Sequence, residues 1–153
     1  MIIRRYKTPD HDSVWELHNI GLNQTGTNLG NGNWDDDLHN IEHAYLHNAG
    51  EFLVGLVDDK LIAMGAFRKT SDISAEVKRM RVHPDYQGKG YGQKIYESLE
   101  TKANELGYKK LHLDTTAKQL PAQKLYEKFG FKEVYRKTIK GLELIFYEKM
   151  LRS

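Results

Sequence analysis

One stretch of the chain, residues 76–92, constrains the fold more than any other. It opens as an extended run in which Val77, Met80 and Val82 stand among charged residues, and Pro84 then lacks the N–H that a sheet ladder would need. Three glycines follow at alternate positions, and apolar residues spaced three or four apart continue to Leu106. The pattern predicts a strand, a glycine-rich turn and a helix. Such a unit can bind an anion, because the unpaired N–H groups of the helix start point at one spot and glycine lets a phosphate approach the backbone.

The spacing of the glycines separates the known kinds of phosphate-binding turn. A P-loop requires Gly, four residues and then Gly-Lys-Ser/Thr, and the sequence contains no such run. The dinucleotide fingerprint, counted from Gly88, meets Gln93 where its last glycine or alanine should stand, and Asp114 near the ribose-binding distance does not restore it. What fits is Gln-x-x-Gly-x-Gly, which begins at Gln87. The spacing therefore disfavours a nucleotide-binding protein of either type.

This run resembles the acetyl-CoA pyrophosphate loop of the GNAT superfamily of N-acetyltransferases. A second segment, Ala-Gln-Lys-Leu-Tyr-Glu-Lys-Phe-Gly-Phe at residues 122–131, resembles the helix-to-strand signature near the carboxyl end of many GNAT proteins. Together the resemblance covers roughly residues 50–150. It implies a single N-acetyltransferase domain over residues 1–153 that uses acetyl-CoA as co-substrate. The acetyl group would pass directly to a primary amine of a small molecule or peptide, without a covalent enzyme intermediate.

The composition is that of one ordinary globular domain. The chain has 153 residues, of which 39% are hydrophobic and 29% charged. A net charge of +2 implies neither a nucleic-acid partner nor a membrane-surface partner. The absence of cysteine excludes disulfides, thiolate metal sites and a cysteine nucleophile. Because the first residues lack an apolar signal core and no window is apolar enough to span a bilayer, we expect a cytoplasmic protein.

Apolar periodicity and turn residues predict the order of the elements. Strands are predicted at residues 2–7, 51–57, 61–67, 73–82, 111–114, 131–136 and 142–150. Helices are predicted from about residue 10 onward, at 34–49, at 90–106 and at 119–128. The order β-α-α-β-β-β-α-β-α-β-β indicates an α/β (α+β) fold with a mixed, mostly antiparallel central sheet flanked by helices. That order is similar to the GNAT arrangement throughout.

The segment after the first helix offers less definite signals. Residues 21–33 are rich in glycine and asparagine and are expected to form a loop, either a tolerated surface insertion or a lid over an acceptor pocket. In the helix that follows, three consecutive aspartates are interpreted as a solvated, dipole-compensating start, Asp35, Asp36 and Asp37. Three histidines spaced by four would share one face of that helix, His39, His43 and His47. No acidic residue or cysteine completes an obvious set of ligands, so we predict no metal site.

The resemblance also implies which residues bind the cofactor. The pantetheine arm would run beside Met80, Arg81 and Val82, whose unpaired backbone groups would imitate a pairing strand. The pyrophosphate would be held chiefly by backbone N–H groups of the glycine-rich turn, formed by Gln87, Gly88, Lys89, Gly90, Tyr91, Gly92 and Gln93. Lys89 would add positive charge beside the pyrophosphate. The alternative interpretation is a solvated lysine on the loop. Gln119 stands where many relatives carry an asparagine, and its longer amide could still hold the cofactor arm.

Direct acetyl transfer needs a deprotonated amine, a donor for the oxyanion and, for the leaving thiolate, a helpful acid. Tyr126 is implied by the resemblance to be that acid, whereas the residues alone suggest an ordinary packed tyrosine. Glu76 is the candidate base. It lies eleven residues before Gln87, like the strand glutamate of histone-acetylating GNAT members, and its alternative is a strand carboxylate paired with a neighbouring cation. Alternation along an unbroken strand would place Glu76 on the same face as Met80 and Val82.

The sequence leaves a second function open beside the N-acetyltransferase. A non-catalytic acyl-CoA-binding sensor or interaction module of the same fold would keep the anion-binding turn and would need neither Glu76 nor Tyr126. The acceptor is equally open, since a polyamine, an amino acid, an aminoglycoside and a peptide amine are all compatible with the residues. A homodimer is suggested only by analogy with the family.

Overall fold

The computed structural model of the protein describes residues 1–25 and 33–151. Within them, seven strands form one sheet in the order β1-β2-β3-β4-β5-β7-β6. The strands are β1 (Ile2–Arg5), β2 (Glu51–Val57), β3 (Lys60–Lys69), β4 (Ser74–Val82), β5 (Lys110–Thr116), β6 (Lys132–Ile139) and β7 (Leu142–Met150). The α-helices are α1 (His11–Thr25), α2 (Tyr91–Glu105) and α3 (Leu120–Lys128). None of these helices is long and apolar enough to cross a membrane.

The sheet contains one parallel strand pair, and a gap opens where the short pairing of these two strands ends. Neighbouring strands are antiparallel except β4 and β5, which pair in parallel only from Ser74 to Glu76 on β4. Because β4 continues to Val82 and β5 to Thr116, the two strands separate beyond Glu76. The predicted α/β (α+β) fold, with a mixed and mostly antiparallel sheet flanked by helices, is confirmed.

Apolar side chains form two clusters on opposite faces of the sheet. Strand alternation places Leu53 in the cluster beneath α2, and its neighbours Phe52 and Val54 in the cluster beneath α1. The predicted stripe of α2 is buried at Ile95, Leu99 and Ala103. Leu106, predicted as the last member of that stripe, instead caps the helix and is exposed.

Strand β4 is interrupted by a β-bulge. Its pairing with β3 jumps from Lys78 opposite Ala66 to Arg81 opposite Met64, so that two residues, Arg79 and Met80, face one residue of β3. Arg79 has a left-handed backbone with φ of 62°. The side chains of Met80 and Val82 consequently join the cluster beneath α2.

The bulge overturns the expectation of an unbroken alternation along β4. Before the bulge, Val77 packs into the cluster beneath α2, so its neighbour Glu76 points to the opposite face. After the bulge, that same cluster receives Met80 and Val82. Glu76 therefore does not share a face with Met80 and Val82.

The predicted helix over residues 34–49 is not one continuous α-helix. A 3₁₀ segment spans Asn33–His39 and a π-helical turn spans Glu42–Leu46. Aspartate and asparagine have weak helix propensity, because their side chains compete for nearby backbone groups. Of the loop expected at residues 21–33, the first part is helical because α1 continues to Thr25, and residues 26–32 lie outside the described residues.

The interpretation of the three aspartates as a solvated helix start is wrong for two of them. Asp35 is only 2% exposed, and the ring nitrogen Nε2 of His18 lies 3.0 Å from its Oδ1. Asp37 accepts hydrogen bonds from Arg79, at 3.0 Å from Nε and 2.5 Å from Nη2, and another from the hydroxyl of Tyr45. His18 and Arg79 lie far from the aspartates in sequence, so these contacts tie the 3₁₀ segment to α1 and to the bulge.

Candidate functional site

A cavity of about 750 Å³ lies beside the free end of β4, between the turn that follows β4, the start of α2 and helix α3. It is lined by every residue predicted to bind the cofactor except Lys89, and also by Tyr126. Glu76 is not among its lining residues. The strand, the turn and the two helices thus bring together residues that lie up to 46 positions apart, from Met80 to Tyr126.

The glycine-rich turn presents backbone donors to this cavity. Gly88 and Gly90 have φ of 77° and 82°, and a side chain added at either would meet no atom within 4 Å. Within the described residues, the amides of Gly88, Lys89 and Gly90 make no hydrogen bond. The first amides of α2 also lack intrahelical partners, because a helix start always leaves them unpaired. The turn therefore offers unengaged N–H groups at the positive end of a helix, an arrangement that suits an anion.

Polar contacts fix the residues that follow β4 to strands β3 and β4. The backbone N–H of His83 donates to the carbonyl of Ile62 at 2.7 Å, and the side-chain amide of Gln87 donates to the carbonyl of Val82 at 3.0 Å. The Gln87 amide thus serves the shape of the turn.

The charge on the cavity wall is positive. Among the described residues its ionisable cations are Arg81, Lys118 and Lys128, and no aspartate or glutamate lines it. Lys128 donates to the side-chain oxygen of Gln93 at 3.2 Å. Lys89 is exposed, with its Nζ 5.7 Å from the ring centre of Tyr86, so it stands beside the turn rather than in the cavity. The wall as a whole favours a negatively charged ligand.

Helix α3 positions two of the predicted residues. The side-chain oxygen of Gln119 accepts hydrogen bonds from the Thr115 hydroxyl at 2.8 Å and from the Thr116 backbone N–H at 3.3 Å, which fixes the start of α3 to the end of β5. Tyr126 is 6% exposed, and burial raises the pKa of its phenol to about 12, with Arg81 acting to lower it and Asp114 to raise it. The phenol therefore stays protonated near neutral pH and can donate a proton.

Glu76 lies outside this arrangement. Its carboxylate accepts a hydrogen bond from Arg68 Nε at 2.8 Å, and it stands opposite His112 in the short parallel pairing of β4 with β5. The contact matches the alternative considered for this residue, a strand carboxylate paired with a cation, although the cation is on β3.

Some residues that line the cavity were not among the site residues predicted from the sequence. Gly21 of α1, Lys118 and Lys128 all line it. Lys118 immediately precedes Gln119, so its place could have been inferred from the strand end. Gly21 could not, because its position depends on how α1 packs against β4.

Of the histidines at residues 39–47, His39 packs against residues at the start of α1. The Nδ1 atom of His39 lies 2.9 Å from Nε2 of His11, and its ring contacts that of Trp15. Within the described residues no group of three or more histidine, aspartate or glutamate side chains is placed to hold a metal ion.

The parted sheet with a glycine-rich turn at its gap is an α/β architecture suited to a ligand that carries phosphate, and sequence comparison gives the family. The sequence model of the acetyltransferase (GNAT) family matches residues 12–131, so the chain belongs to that family. The N-acetylaspartate synthetase of Xenopus tropicalis is 34% identical over 100 residues, which are 64% of this chain and 37% of that protein. The chain thus spans little more than a third of that relative.

Solved structures confirm the fold. An acetyltransferase of the GNAT family from Staphylococcus aureus Mu50 has a TM-score of 0.90 at 21% identity and covers 99% of both chains. A protein from Salmonella typhimurium, crystallised with its cofactor acetyl-CoA, has a TM-score of 0.84 at 22% identity and covers 100% of this chain and 95% of its own.

Proposed function

We propose that the protein is an N-acetyltransferase that moves the acetyl group of acetyl-CoA to a primary amine of a small molecule or peptide. The observation that carries this proposal is the set of unengaged amides at Gly88, Lys89 and Gly90, in a turn whose two glycines line a positively charged cavity at the start of α2. The family match and the acetyl-CoA bound to the Salmonella neighbour support the choice of ligand.

In this proposal the cofactor follows the cavity from one end to the other. Its diphosphate binds the amides of the glycine-rich turn, with Lys118 and Lys128 adding positive charge. The pantetheine arm takes the place of a pairing strand beside Met80 to Val82, where β4 has parted from β5. The thioester then reaches Tyr126.

The chemistry is a direct displacement at the acetyl carbon. The amine nitrogen forms the new C–N bond, a backbone N–H of β4 stabilises the oxyanion, and the C–S bond breaks. Tyr126 donates its proton to the departing thiolate, and it regains a proton from solvent when the attacking nitrogen releases its extra proton. The ammonium proton of the acceptor must leave before the attack, because a protonated amine has no free electron pair.

Glu76 remains our predicted base for that proton. Since its carboxylate is hydrogen bonded to Arg68 and lies outside the cavity lining, it would have to reach the amine through an intervening water. The same observation favours a second candidate function, an acyl-CoA-binding sensor without catalysis. Binding of acetyl-CoA without turnover of any amine in a broad panel would identify the sensor.

Calorimetric titration with acetyl-CoA tests the shared part of both proposals. We expect the wild-type protein to bind, and Gly90→Val to weaken binding about tenfold or more, because valine disfavours the left-handed backbone that directs the amides. Gly107→Val is the matched control: Gly107 has φ of 88° and open space around it, but it lies beyond the other end of α2. No heat of binding with the folded wild-type protein would overturn the assignment.

A further inference from the structure

Arg81 is a half-buried cation that forms no ion pair with any carboxylate in the described part of the chain. Its Nη1 donates to the carbonyl of Met80 at 2.9 Å, and its Nε is buried without a hydrogen-bond partner. No carboxylate of the described residues forms an ion pair with it, in contrast to its neighbour Arg79. Residues 22–34 cannot supply one from a side chain, because they include no aspartate or glutamate.

The carboxylates around the bulge are already engaged. Asp35 lies 3.0 Å from His18 and 3.5 Å from Arg79, and Asp37 is held by Arg79. Burial lowers the pKa of Arg81 and the positive charge of Arg79 lowers it further, while Tyr126 and Asp35 act to raise it without reversing the shift. An unpaired charge in such surroundings is costly unless a ligand supplies the opposite charge.

The position of Arg81 assigns this charge to the acceptor rather than to the cofactor phosphates. Its side chain lies against Gly21 of α1, where an added Cβ would come within 2.9 Å of Nε. Arg81 also lines the cavity together with Tyr126, and the charge of Arg81 lowers the pKa of that phenol. The guanidinium is therefore at the end where the thioester would react, whereas Lys118 and Lys128 are available to the phosphates.

We infer that the acceptor is an amine that carries a carboxylate, of the free α-amino acid class, and that Arg81 binds this carboxylate. The inference rests on the proposed function and narrows it. Guanidinium groups bind carboxylates through paired, charge-assisted hydrogen bonds, which fix orientation as well as affinity. A polyamine or an aminoglycoside would instead place its own positive charge beside Arg81, so the same residue disfavours those classes.

Three conjugates of coenzyme A test the inference whatever side chain the acceptor carries. Each joins the sulfur through an acetyl linker to an amine: glycine, glycinamide or methylamine. By calorimetry, we expect wild-type protein to bind the glycine conjugate about tenfold or more tighter than the glycinamide conjugate, because only the former carries the carboxylate. Arg81→Met should bring that ratio close to one, because it removes the guanidinium and keeps the backbone of β4 in place.

Lys118→Met is the matched control, since it removes another cation of the cavity wall and should preserve the ratio between the conjugates. Equal affinities of the glycine and glycinamide conjugates for the wild-type protein would overturn the inference while leaving the proposed function intact. So would equal weakening of all three conjugates and of coenzyme A by Arg81→Met, because the guanidinium would then serve the cofactor. Failure of coenzyme A to bind the wild-type protein would instead remove the proposed function.

Discussion

At the scale of single residues, the proposed reaction depends most on Tyr126. The phenol is packed against Phe131, with ring centres 5.8 Å apart, and yet it lines the cavity. Packing holds the ring in one place, and burial keeps the pKa of its hydroxyl far above neutral pH. The residue can therefore present a proton to a leaving thiolate without moving, which is what an acid catalyst for this step requires.

Tyr126→Phe should lower kcat by about 100-fold, the usual size of a general acid–base contribution, with little change in KM for acetyl-CoA. The ring and its packing are kept, so only the proton is lost. Tyr96→Phe is the control, because Tyr96 is equally buried but donates its hydroxyl to Glu100 at 2.6 Å. Steady-state kinetics with a saturating acceptor separates the two variants, and an unchanged kcat in Tyr126→Phe would contradict the assigned role.

The role predicted for Glu76 can be separated from its ion pair with Arg68. Glu76→Gln should lower kcat by about tenfold or more if its carboxylate removes the amine proton through water. Arg68→Gln breaks the same 2.8 Å contact but leaves the carboxylate in place, so it should retain most of the activity. Initial rates of both variants across pH 6 to 9 decide the matter, because equal losses at every pH would mean that the pair has a structural role only.

At the scale of elements, β4 determines the geometry of the site. Its bulge turns Met80 and Val82 toward α2 and aims Arg79 at the 3₁₀ segment, while the loss of pairing with β5 leaves an open strand edge. The bulge at Arg79 thus decides which side chains of β4 face the cavity and which contact the 3₁₀ segment.

Arg79→Met tests how much the buried ion pairs of β4 stabilise the fold. The substitution removes the cation that Asp35 and Asp37 share and leaves buried carboxylates uncompensated, so we expect the free energy of unfolding to fall by about 3–5 kcal/mol. Urea denaturation measures the loss. Arg136→Met also breaks two ion pairs, to Glu133 and Glu143, but these are exposed, and the urea midpoint should hardly move. Similar midpoints for both variants would show that the buried pair does not brace β4.

The elements of the site could be predicted from sequence to the extent that their signals are local. Pro84 and the alternating glycines predict the end of β4, the turn and the start of α2 within a few residues. The structure contains this strand end, turn and helix start. The bulge gives no such signal, because arginine is not a residue type that favours a positive φ. The bulged Arg79 is held by a partner 42 residues upstream, Asp37, and a strand pattern contains no information about that contact.

At the scale of the whole molecule, the sheet separates two different environments. On one face α2 and α3 cover an apolar cluster beside the cavity. On the other, α1 and the 3₁₀ segment enclose charged groups among apolar ones, with His18 only 1% exposed. Charges buried on that face connect the stability of the entire fold to pH, because unfolding exposes them to water.

His18 should make the protein less stable in mild acid. Burial, reinforced by Arg81 and Arg79 and opposed by Asp35, lowers its pKa from 6.5 to about 4. Between these values the unfolded chain binds a proton that the folded chain does not, so the free energy of unfolding should fall by about 3 kcal/mol as pH drops from 7 to 4.

Urea midpoints at several pH values measure the slope, and His18→Gln should flatten most of it. His112→Gln should flatten the slope less, since burial also lowers the pKa of His112 but that ring is more accessible. If the slope survives in His18→Gln, another group causes the acid sensitivity. Asp10 and Asp37 do not contribute in this range, because their pKa values are already below normal and they lose their charge only at lower pH.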